Sequence, residues 1–216
     1  MKLALFDVDG TLVQGLSTEL SFAANLWRHG RIGPAQLLAW LAFALRELPR
    51  YGRAVNGKNK AYLSGLESAT VADWARTFVF QELPHKLCPA VVARLQDHKQ
   101  AGDRVVLLTG TANFLAAPLA ERLGADDYRA ACYATRAGRF VAQPPLIHPH
   151  GAEKLRIAQE LCVQQGTHLR EVVAYADHPS DRRLLSAVGH PVVVGYNRRL
   201  RAEAHSRGWE QIAGCG

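Results

Sequence analysis

LALFDVDGTLV, residues 3–13, places Asp7 and Asp9 directly after four apolar residues. The apolar run does not alternate with polar residues, which is typical of a strand buried on both faces of a parallel sheet. Two carboxylates a few ångströms apart repel each other, and each raises the pKa of the other. A buried strand gains nothing from such a pair at its end, so the pair indicates a functional site.

Three further apolar runs of the same kind follow along the chain, at residues 104–108, 172–176 and 191–194. Helical segments separate the runs, and prolines and glycines mark their ends. The predicted helices span about residues 89–102, 113–122, 152–165 and 180–188. This alternation predicts an α/β fold with a three-layer, Rossmann-like parallel sheet as its core.

The connection between the first and second predicted strands is roughly 90 residues long, far too many for a single crossover. Its residues favour helices only. We therefore predict a core domain of residues 1–14 and 86–216, interrupted by an all-helical cap subdomain at residues 15–85. Within the core, residues 131–145 predict a small hairpin that turns at Ala137-Gly138.

The chain has 216 residues, a formal net charge of +7 and a pI near 9.5. A basic balance favours anionic partners, but the basic residues are dispersed, so a small phosphorylated molecule is expected rather than nucleic acid. The longest apolar helical stretch, residues 35–45, has 11 residues, whereas a membrane-spanning helix needs roughly 20. No membrane span is expected, and the leucines and aromatic residues of this stretch are expected to form the core of the cap.

The four cysteines are widely scattered and form no CxxC pair, which argues against a zinc site and against a disulfide framework. The first residues enter a strand-like run directly and are not typical of a signal peptide. A reducing, cytoplasmic location is the simplest expectation. Nothing in the sequence indicates the oligomeric state.

Polar residues follow the first three predicted strands, at the edge where ligands bind in open parallel sheets. Four carboxylates gathered there would be costly without compensation, and a bound hard cation supplies it. Magnesium suits carboxylates and commonly shares its coordination sphere with a substrate phosphate. The candidates are Asp7, Asp9 and Gly10 after the first strand, Thr109, Gly110 and Thr111 after the second, and Asp177 and Asp181 after the third.

Phosphate is the natural target of such a site. Thr109 offers a hydroxyl donor, and glycines at positions 10 and 110 let backbone amides approach an anion closely. Lys154 lies in the first turn of the helix that precedes the third strand. It supplies a fixed positive charge for a phosphoryl group during transfer.

"DVDGTLV", "LLTGT", Lys154 and "YADHPSD", in this order, resemble the four motifs of the haloacid dehalogenase-like phosphohydrolases. The helical insertion directly after the first motif is similar to the cap of subfamily IB, the branch that contains phosphoserine phosphatase. Near the end, "LRAEAHSRGW" resembles a subgroup of bacterial phosphoserine-phosphatase-like hydrolases. The resemblance covers nearly the whole chain and implies a Mg²⁺-dependent phosphatase that acts on a small phosphorylated metabolite.

The resemblance also implies catalytic roles. Asp7 would be the nucleophile and would form an aspartyl-phosphate intermediate. Asp9 would protonate the leaving oxygen and then activate the water that hydrolyses this intermediate. Thr109 and Lys154 would bind the phosphoryl oxygens, together with the backbone at Gly10 and Gly110.

The implied metal site has four aspartates. Asp7, Asp177 and the backbone carbonyl of Asp9 would hold Mg²⁺, and Asp181 would support either the metal or the lysine. The fourth motif departs from the usual pattern at two positions. Ala176 stands where the family usually has glycine, and a histidine at position 178 stands where a small or hydroxylated residue is common.

Phosphoserine phosphatases carry a glutamate shortly after the first motif that contacts the amine of the substrate. The matching position here is Leu16, and Glu19, three residues later, cannot simply be reassigned to that role. Phosphoserine is therefore an alternative rather than the expected substrate. Phosphorylated amino acids or amino alcohols, sugar phosphates and lipid head-group phosphates are all compatible with the sequence.

Two other functions are compatible with these motifs: a phosphotransferase or mutase, and a non-catalytic protein that binds anions. In the cap, Arg53, Lys58 and Lys60 could contact a second anionic group of the substrate or form a solvated helix face. The segment His148-Pro149-His150 could be a pair of metal ligands, but histidines in a proline-rich loop are more often without function.

Overall fold

A computed structural model describes residues 2–52 and 55–214 of the protein, without the side chain of Asn56. Its strands are β1 (Leu3–Phe6), β2 (Arg104–Ala112), β3 (Asp127–Ala131), β4 (Thr135–Arg136), β5 (Arg139–Phe140), β6 (Val172–Ala176), β7 (His190–Val194) and β8 (Glu210–Ile212). Six of them form a parallel sheet in the order β3-β2-β1-β6-β7-β8. The predicted Rossmann-like α/β fold is confirmed.

The helices flank this sheet. They are α1 (Thr18–Arg28), α2 (Pro34–Tyr51), α3 (Val55–Lys58), α4 (Ser68–Gln81), α5 (Pro89–Gln100), α6 (Asn113–Leu123), α7 (Ala152–Gln165), α8 (Arg182–Ala187) and α9 (Arg198–Arg207). The predicted helices at 89, 113 and 152 are confirmed as α5, α6 and α7. The fourth prediction, 180–188, is shorter in the structure, because a 3-10 turn at Pro179–Asp181 precedes α8.

The four predicted strands are confirmed, and β2 continues four residues beyond the predicted end at residue 108. The edge strands β3 and β8 were not predicted. The sequence of β3 is DYRAA, and its first three residues are only partly buried. β8 has three residues and none of them is fully buried. Short, partly exposed strands lack the apolar run that identifies a central strand.

The register of the central strands sets the position of the site. Leu3 of β1 lies opposite Arg104 of β2 and Val172 of β6, so the three strands run in step. The ladder continues one residue past β1, because the N–H of Asp7 donates to the carbonyl of Tyr175 at 3.0 Å. The polar residues that follow the three strands therefore emerge at the same edge of the sheet.

Helices α1–α4 lie between β1 and α5 in the chain, where the sequence predicts the cap. Of these, α1 and α4 share a continuous apolar cluster with the sheet, whereas Phe43 of α2 and Val55 of α3 form a separate small cluster. The ring of Phe22 in α1 contacts Phe78 in α4 and Phe114 in α6, with ring centroids 5.5 and 5.9 Å apart. These contacts fix the helical insertion against the sheet layer.

The predicted hairpin is confirmed as β4 and β5. Ala137 and Gly138 both have positive φ, 49° and 75°, as a two-residue type I′ turn requires. The hairpin also bonds to the insertion, since the N–H of Gly65 donates to the carbonyl of Phe140 at 2.9 Å.

The expectation that residues 35–45 form the core of the cap is wrong. Phe43 is the buried residue of α2, whereas Leu38, Leu41 and Leu45 are 65%, 47% and 66% exposed. The helix contacts the rest of the insertion along one narrow stripe, and the remaining leucines face outward. None of the helices in the described residues is long and apolar enough to cross a membrane.

Cys88 forms a disulfide, whereas Cys132 and Cys162 are free thiols. The scattered spacing predicts no disulfide framework, and the two free thiols agree with that prediction.

Candidate active site

Asp7, the first residue after β1, is fixed beside a buried lysine. Its Oδ1 atom accepts a hydrogen bond from the N–H of Val8 at 2.8 Å and lies 2.9 Å from Lys154 Nζ. Lys154, in the first turn of α7, also donates to Asp181 Oδ2 at 2.8 Å. The Oδ2 atom of Asp7 accepts no hydrogen bond from the residues that the structure describes. That oxygen is therefore free to bind or attack a ligand.

Burial is the main influence on the charges of this cluster. Burial raises the pKa of Asp7 well above the ordinary value, and the charges of Asp177 and Asp181 add to this rise. Lys154 lowers the pKa, but by less than the other three influences raise it. Burial alone would lower the pKa of Lys154, but Asp7 and Asp181 outweigh burial and raise it. Burial, together with the charge of Asp181, also raises the pKa of Asp177. The lysine thus stays charged, and the carboxylates are only partly compensated.

Gly10 is required by the approach of Asp177 to the first motif. The backbone of Gly10 has φ +82°, and a Cβ atom there would lie 2.5 Å from the carboxyl carbon of Asp177. The Asp177 carboxylate is held in place by Thr11, whose hydroxyl donates to Oδ1 at 3.2 Å. Only a residue without a side chain leaves room for this carboxylate.

Asp9 is held in a different way, by hydroxyl and amide donors. Its Oδ1 atom accepts hydrogen bonds from the N–H and the hydroxyl of Thr18, both at 2.6 Å. Its Oδ2 atom accepts from the hydroxyl of Thr111 at 3.0 Å, and that hydroxyl in turn accepts from Thr109 at 2.9 Å. Since Thr18 is the first residue of α1, the carboxylate also lies at a helix N-terminus, where negative charge is stabilised.

Thr111 and Thr18 are site residues to which the sequence assigned no role. Because β2 extends through Ala112, Thr109 and Thr111 are two residues apart on one strand and point to the same side. The sequence names Thr111 as a candidate, and alternation along a longer β2 would also have placed it on the same side as Thr109. No sequence signal pairs Thr18 with Asp9.

Most of the predicted site residues line one cleft of about 260 Å³ at the carboxyl edge of the sheet. Gly10 and Asp181 do not line it, but each touches a residue that does. The predicted residues that line the cleft are Asp7, Asp9, Thr109, Gly110, Thr111, Lys154 and Asp177.

The loop at 148–150 forms part of the site as well, although its sequence favoured no function. His150 lines the cleft, and His148 Cε1 would lie 3.4 Å from a Cβ placed at Gly110. Burial, followed by the charge of Lys58, lowers the pKa of His148 to about 4, so its ring is neutral at pH 7. The buried Nδ1 of His148 has no hydrogen-bond partner among the described residues.

Within residues 2–52 and 55–214, no three carboxylate, imidazole or thiol side chains converge as a complete metal site. The donors fit Mg²⁺ nevertheless, because this ion is usually bound by one or two carboxylates, with water and substrate phosphate completing its sphere. Asp7 and Asp177 are the available carboxylates. The side chain of Asp9 is occupied by threonine donors, and Asp181 is bonded to Lys154.

The departures in the fourth motif are accommodated by the structure. Among the described non-glycine residues only Ala137 has positive φ, so alanine at position 176 causes no backbone strain. The ring of His178 accepts a hydrogen bond from the N–H of Ser180 at 3.2 Å and caps the 3-10 turn that leads to Asp181.

A second polar pair lies beside the cleft, in the insertion. Lys60 Nζ is 2.5 Å from Glu19 Oε2, and Lys60 is only 6% exposed, so it does not belong to a solvated helix face. The other Glu19 oxygen accepts from the N–H of Ala112, directly after Thr111, at 3.0 Å. Burial raises the pKa of Glu19, and the charge of Lys60 opposes this shift. Arg53, which the sequence grouped with Lys60, lies outside the described residues.

A family model for haloacid dehalogenase-like hydrolases matches residues 4–186, which include all four motifs. The chain belongs to this family. It is 30% identical over 213 residues to a phosphoserine phosphatase of Mycobacterium tuberculosis, an alignment that covers 96% of this chain and 69% of that protein. The protein is therefore an enzyme of the haloacid dehalogenase-like family, of the phosphatase type.

Solved structures of the family share the fold. A protein of unknown function from Bordetella pertussis is 26% identical, with a TM-score of 0.80 and coverage of 97% of both chains. A substrate-bound phosphoserine phosphatase superposes with a TM-score of 0.65 at 18% identity, covering 98% of this chain and 92% of that one. At this identity the second likeness supports the fold of the haloacid dehalogenase-like enzyme, not its substrate.

Proposed function

We propose that the protein is a Mg²⁺-dependent phosphomonoesterase that transfers the phosphoryl group of a small substrate to Asp7 and then to water. The observation that carries the proposal is the different environment of two carboxylates two residues apart. Asp7 is buried beside Lys154 with one oxygen unbonded, whereas Asp9 is held by hydroxyl and amide donors. The first arrangement leaves an oxygen free to attack phosphorus, and the second holds the other carboxylate in one orientation, as proton exchange with a bound ligand requires.

In the first step, Asp7 Oδ2 forms a bond to phosphorus while the bond from phosphorus to the alcohol oxygen breaks. Asp9 gives its proton to that oxygen, and the alcohol leaves. In the second step, the oxygen of a water molecule attacks phosphorus while Asp9 takes a proton from that water. The bond between Asp7 and phosphorus breaks, which releases phosphate and restores the free carboxylate.

Lys154 and Thr109 bind the phosphoryl oxygens in this proposal. The lysine is held by two carboxylates and cannot swing away, so its charge is already positioned when the phosphoryl group arrives. Mg²⁺, bound by Asp7, Asp177 and the backbone carbonyl of Asp9, would neutralise the charge of the phosphate and polarise it. Asp181 acts on the lysine rather than on the metal.

Residues 15–85 serve as the cap in this proposal. They supply Thr18, which positions Asp9, and Glu19 and Lys60, which lie beside the cleft. Because Glu19 accepts from the backbone of Ala112 at the end of β2, the insertion is anchored next to the residues that line the cleft. Residues 1–14 and 86–216 supply the nucleophile, the lysine and the metal ligands.

A panel of phosphomonoesters, assayed for free phosphate with Mg²⁺ present, tests the function. We expect turnover that chelation abolishes and Mg²⁺ restores, and no turnover by Asp7→Asn with an unchanged circular dichroism spectrum. Adding an acceptor alcohol separates hydrolysis from phosphotransfer, since a transferase would form a new phosphate ester. Release of phosphate by Asp7→Asn at the wild-type rate would refute the mechanism.

A further inference from the structure

A cavity of about 630 Å³ lies in the insertion, in the size range of small-molecule sites. It shares no lining residue with the catalytic cleft. Its walls are mainly apolar, whereas the cleft is lined mainly by polar residues. The apolar side chains come from α1, α2 and the turn between them. They are Leu20, Ala23, Ala24, Trp27, Ile32, Leu37 and Trp40.

The walls are incompletely covered by the protein itself. Leu20, Trp27 and Leu37 are 61%, 52% and 55% exposed although they line a cavity. Clustered exposed side chains of this size mark a binding surface, because their burial by a ligand removes apolar area from water. Isolated exposed leucines would carry no such meaning.

Polar residues also line the cavity, and one of them, Glu19, accepts from the N–H of Ala112, directly after Thr111 of the catalytic cleft. Lys60 and Tyr62 line the cavity as well. Tyr62 is 8% exposed, and its hydroxyl has no hydrogen-bond partner among the described residues. Glu19 follows Thr18, the residue that holds Asp9. Residues 18 and 19 thus link the cavity to the cleft, and a ligand whose phosphate lies in the cleft would extend past them into the cavity.

We infer that the cavity binds the aliphatic chain of the substrate, so that the substrate is a phosphomonoester of an alcohol that carries such a chain. An oxygen-bearing segment between phosphate and chain would meet Tyr62, where a hydroxyl donor is unused. This inference rests on the proposed phosphomonoesterase function and specifies its substrate class.

A series of straight-chain alkyl phosphates, from methyl to decyl and below micellar concentrations, tests the inference. Each fully buried methylene is worth about fourfold in kcat/KM, so activity should rise steeply with chain length and then level off when the cavity is full. A flat series with methyl phosphate still hydrolysed would overturn the inference and leave the function intact. Failure to hydrolyse any phosphomonoester would refute the function instead.

Binding without turnover makes these two failures distinguishable. Alkylphosphonates cannot be hydrolysed, and Trp27 and Trp40 line the cavity, so their fluorescence reports on a bound chain. We expect affinity for the phosphonates to rise with chain length, as it does for the substrates. Equal affinity for methyl- and decylphosphonate would overturn the inference even in an inactive preparation.

Three variants locate the chain. Ala23→Phe fills the cavity and should abolish the gain with chain length. Leu37→Gln should reduce kcat/KM for the decyl ester about tenfold, since one apolar wall is lost. Leu38→Gln is the matched control, because Leu38 is the adjacent leucine of α2, is 65% exposed and does not line the cavity. All three should hydrolyse methyl phosphate at the wild-type rate, and an equal effect of the two glutamine variants would overturn the assignment.

Tyr62→Phe tests the polar part of the cavity wall. It should lower kcat/KM about fivefold for a chain attached through a hydroxylated linker, and leave simple alkyl esters unchanged. If Tyr62→Phe and the wild type have the same kcat/KM on esters with a hydroxylated linker, Tyr62 does not contact a linker and that part of the inference is wrong.

The same chemistry can come from a free amphiphile or from a bilayer. Decyl phosphate as a monomer and a long-chain phosphomonoester in phosphatidylcholine vesicles distinguish the two sources. If Ala23→Phe abolishes turnover of either substrate, the chain site is supported. If both substrates are hydrolysed equally well by Ala23→Phe and by the wild type, the chain site is contradicted.

Discussion

Replacing Gly10 with alanine tests the geometry of the site through a single methyl group. The new Cβ would lie 2.5 Å from the carboxyl carbon of Asp177 and closer still to its Oδ2 atom, so the carboxylate must move at least about 0.9 Å to reach ordinary contact at 3.4 Å. A misplacement of about 1 Å in a catalytic constellation costs about 100-fold in rate, which is about 2.7 kcal/mol of transition-state stabilisation. The positive φ adds about 1–2 kcal/mol of lost folding stability.

Gly15→Ala is the matched control. Gly15 has φ +80°, almost the value of Gly10, but a Cβ placed there would have no atom within 4 Å. Both variants should lose about 1–2 kcal/mol in urea unfolding, and only Gly10→Ala should lose about 100-fold in kcat/KM on an aryl phosphate. Wild-type turnover by Gly10→Ala, or an equal loss of turnover by Gly15→Ala, would refute the reasoning.

Three further predictions concern the groups around the nucleophile and the sheet. Thr111→Val removes the hydrogen bond to Asp9 and the one accepted from Thr109 with little change in size, and should lower kcat about tenfold and the free energy of unfolding by about 1–3 kcal/mol. Lys154→Met leaves two buried carboxylates unpaired, and should lower the free energy of unfolding by about 3–5 kcal/mol in urea titrations at neutral pH. Although burial opposes the shift, hydrogen bonds, one of them from His98, lower the pKa of Asp103 below 3.8. The hydrogen bonds to the ionised Asp103 stabilise the fold fully above pH 3.8, and this stabilisation is lost as pH falls through the folded pKa. In a plot of the free energy of unfolding against pH, Asp103→Asn should therefore reduce the fall at acid pH.

The central sheet could be predicted from the sequence because its strands are buried on both faces. Leu3–Phe6 and Val172–Ala176 are fully buried, and their unbroken apolar runs express this burial directly. β3 could not be predicted in the same way, because Asp127, Tyr128 and Arg129 are only partly buried and are partly polar. The polar content of an edge strand resembles that of a loop.

The residues of the candidate site divide along similar lines. Asp7, Lys154 and Asp177 could be predicted because each follows a strand or begins a helix at a known edge of the sheet. Glu19 and Lys60 could not, because their pairing depends on how α1 meets the chain after α3, which no local pattern encodes. The exposed leucines of α2 were assigned to a core for the same reason, since amphipathic periodicity does not say whether a partner element covers the apolar face.

The central claim is that the carboxylate of Asp7 carries the phosphoryl group between the two steps. An aryl phosphate needs little protonation of its leaving group, so Asp9→Asn should still form the covalent species but hydrolyse it slowly. After acid quenching and proteolysis, mass spectrometry of Asp9→Asn should find phosphate on the peptide that contains Asp7, and none after the added change Asp7→Asn. Phosphate on a different residue of the chain would contradict the account.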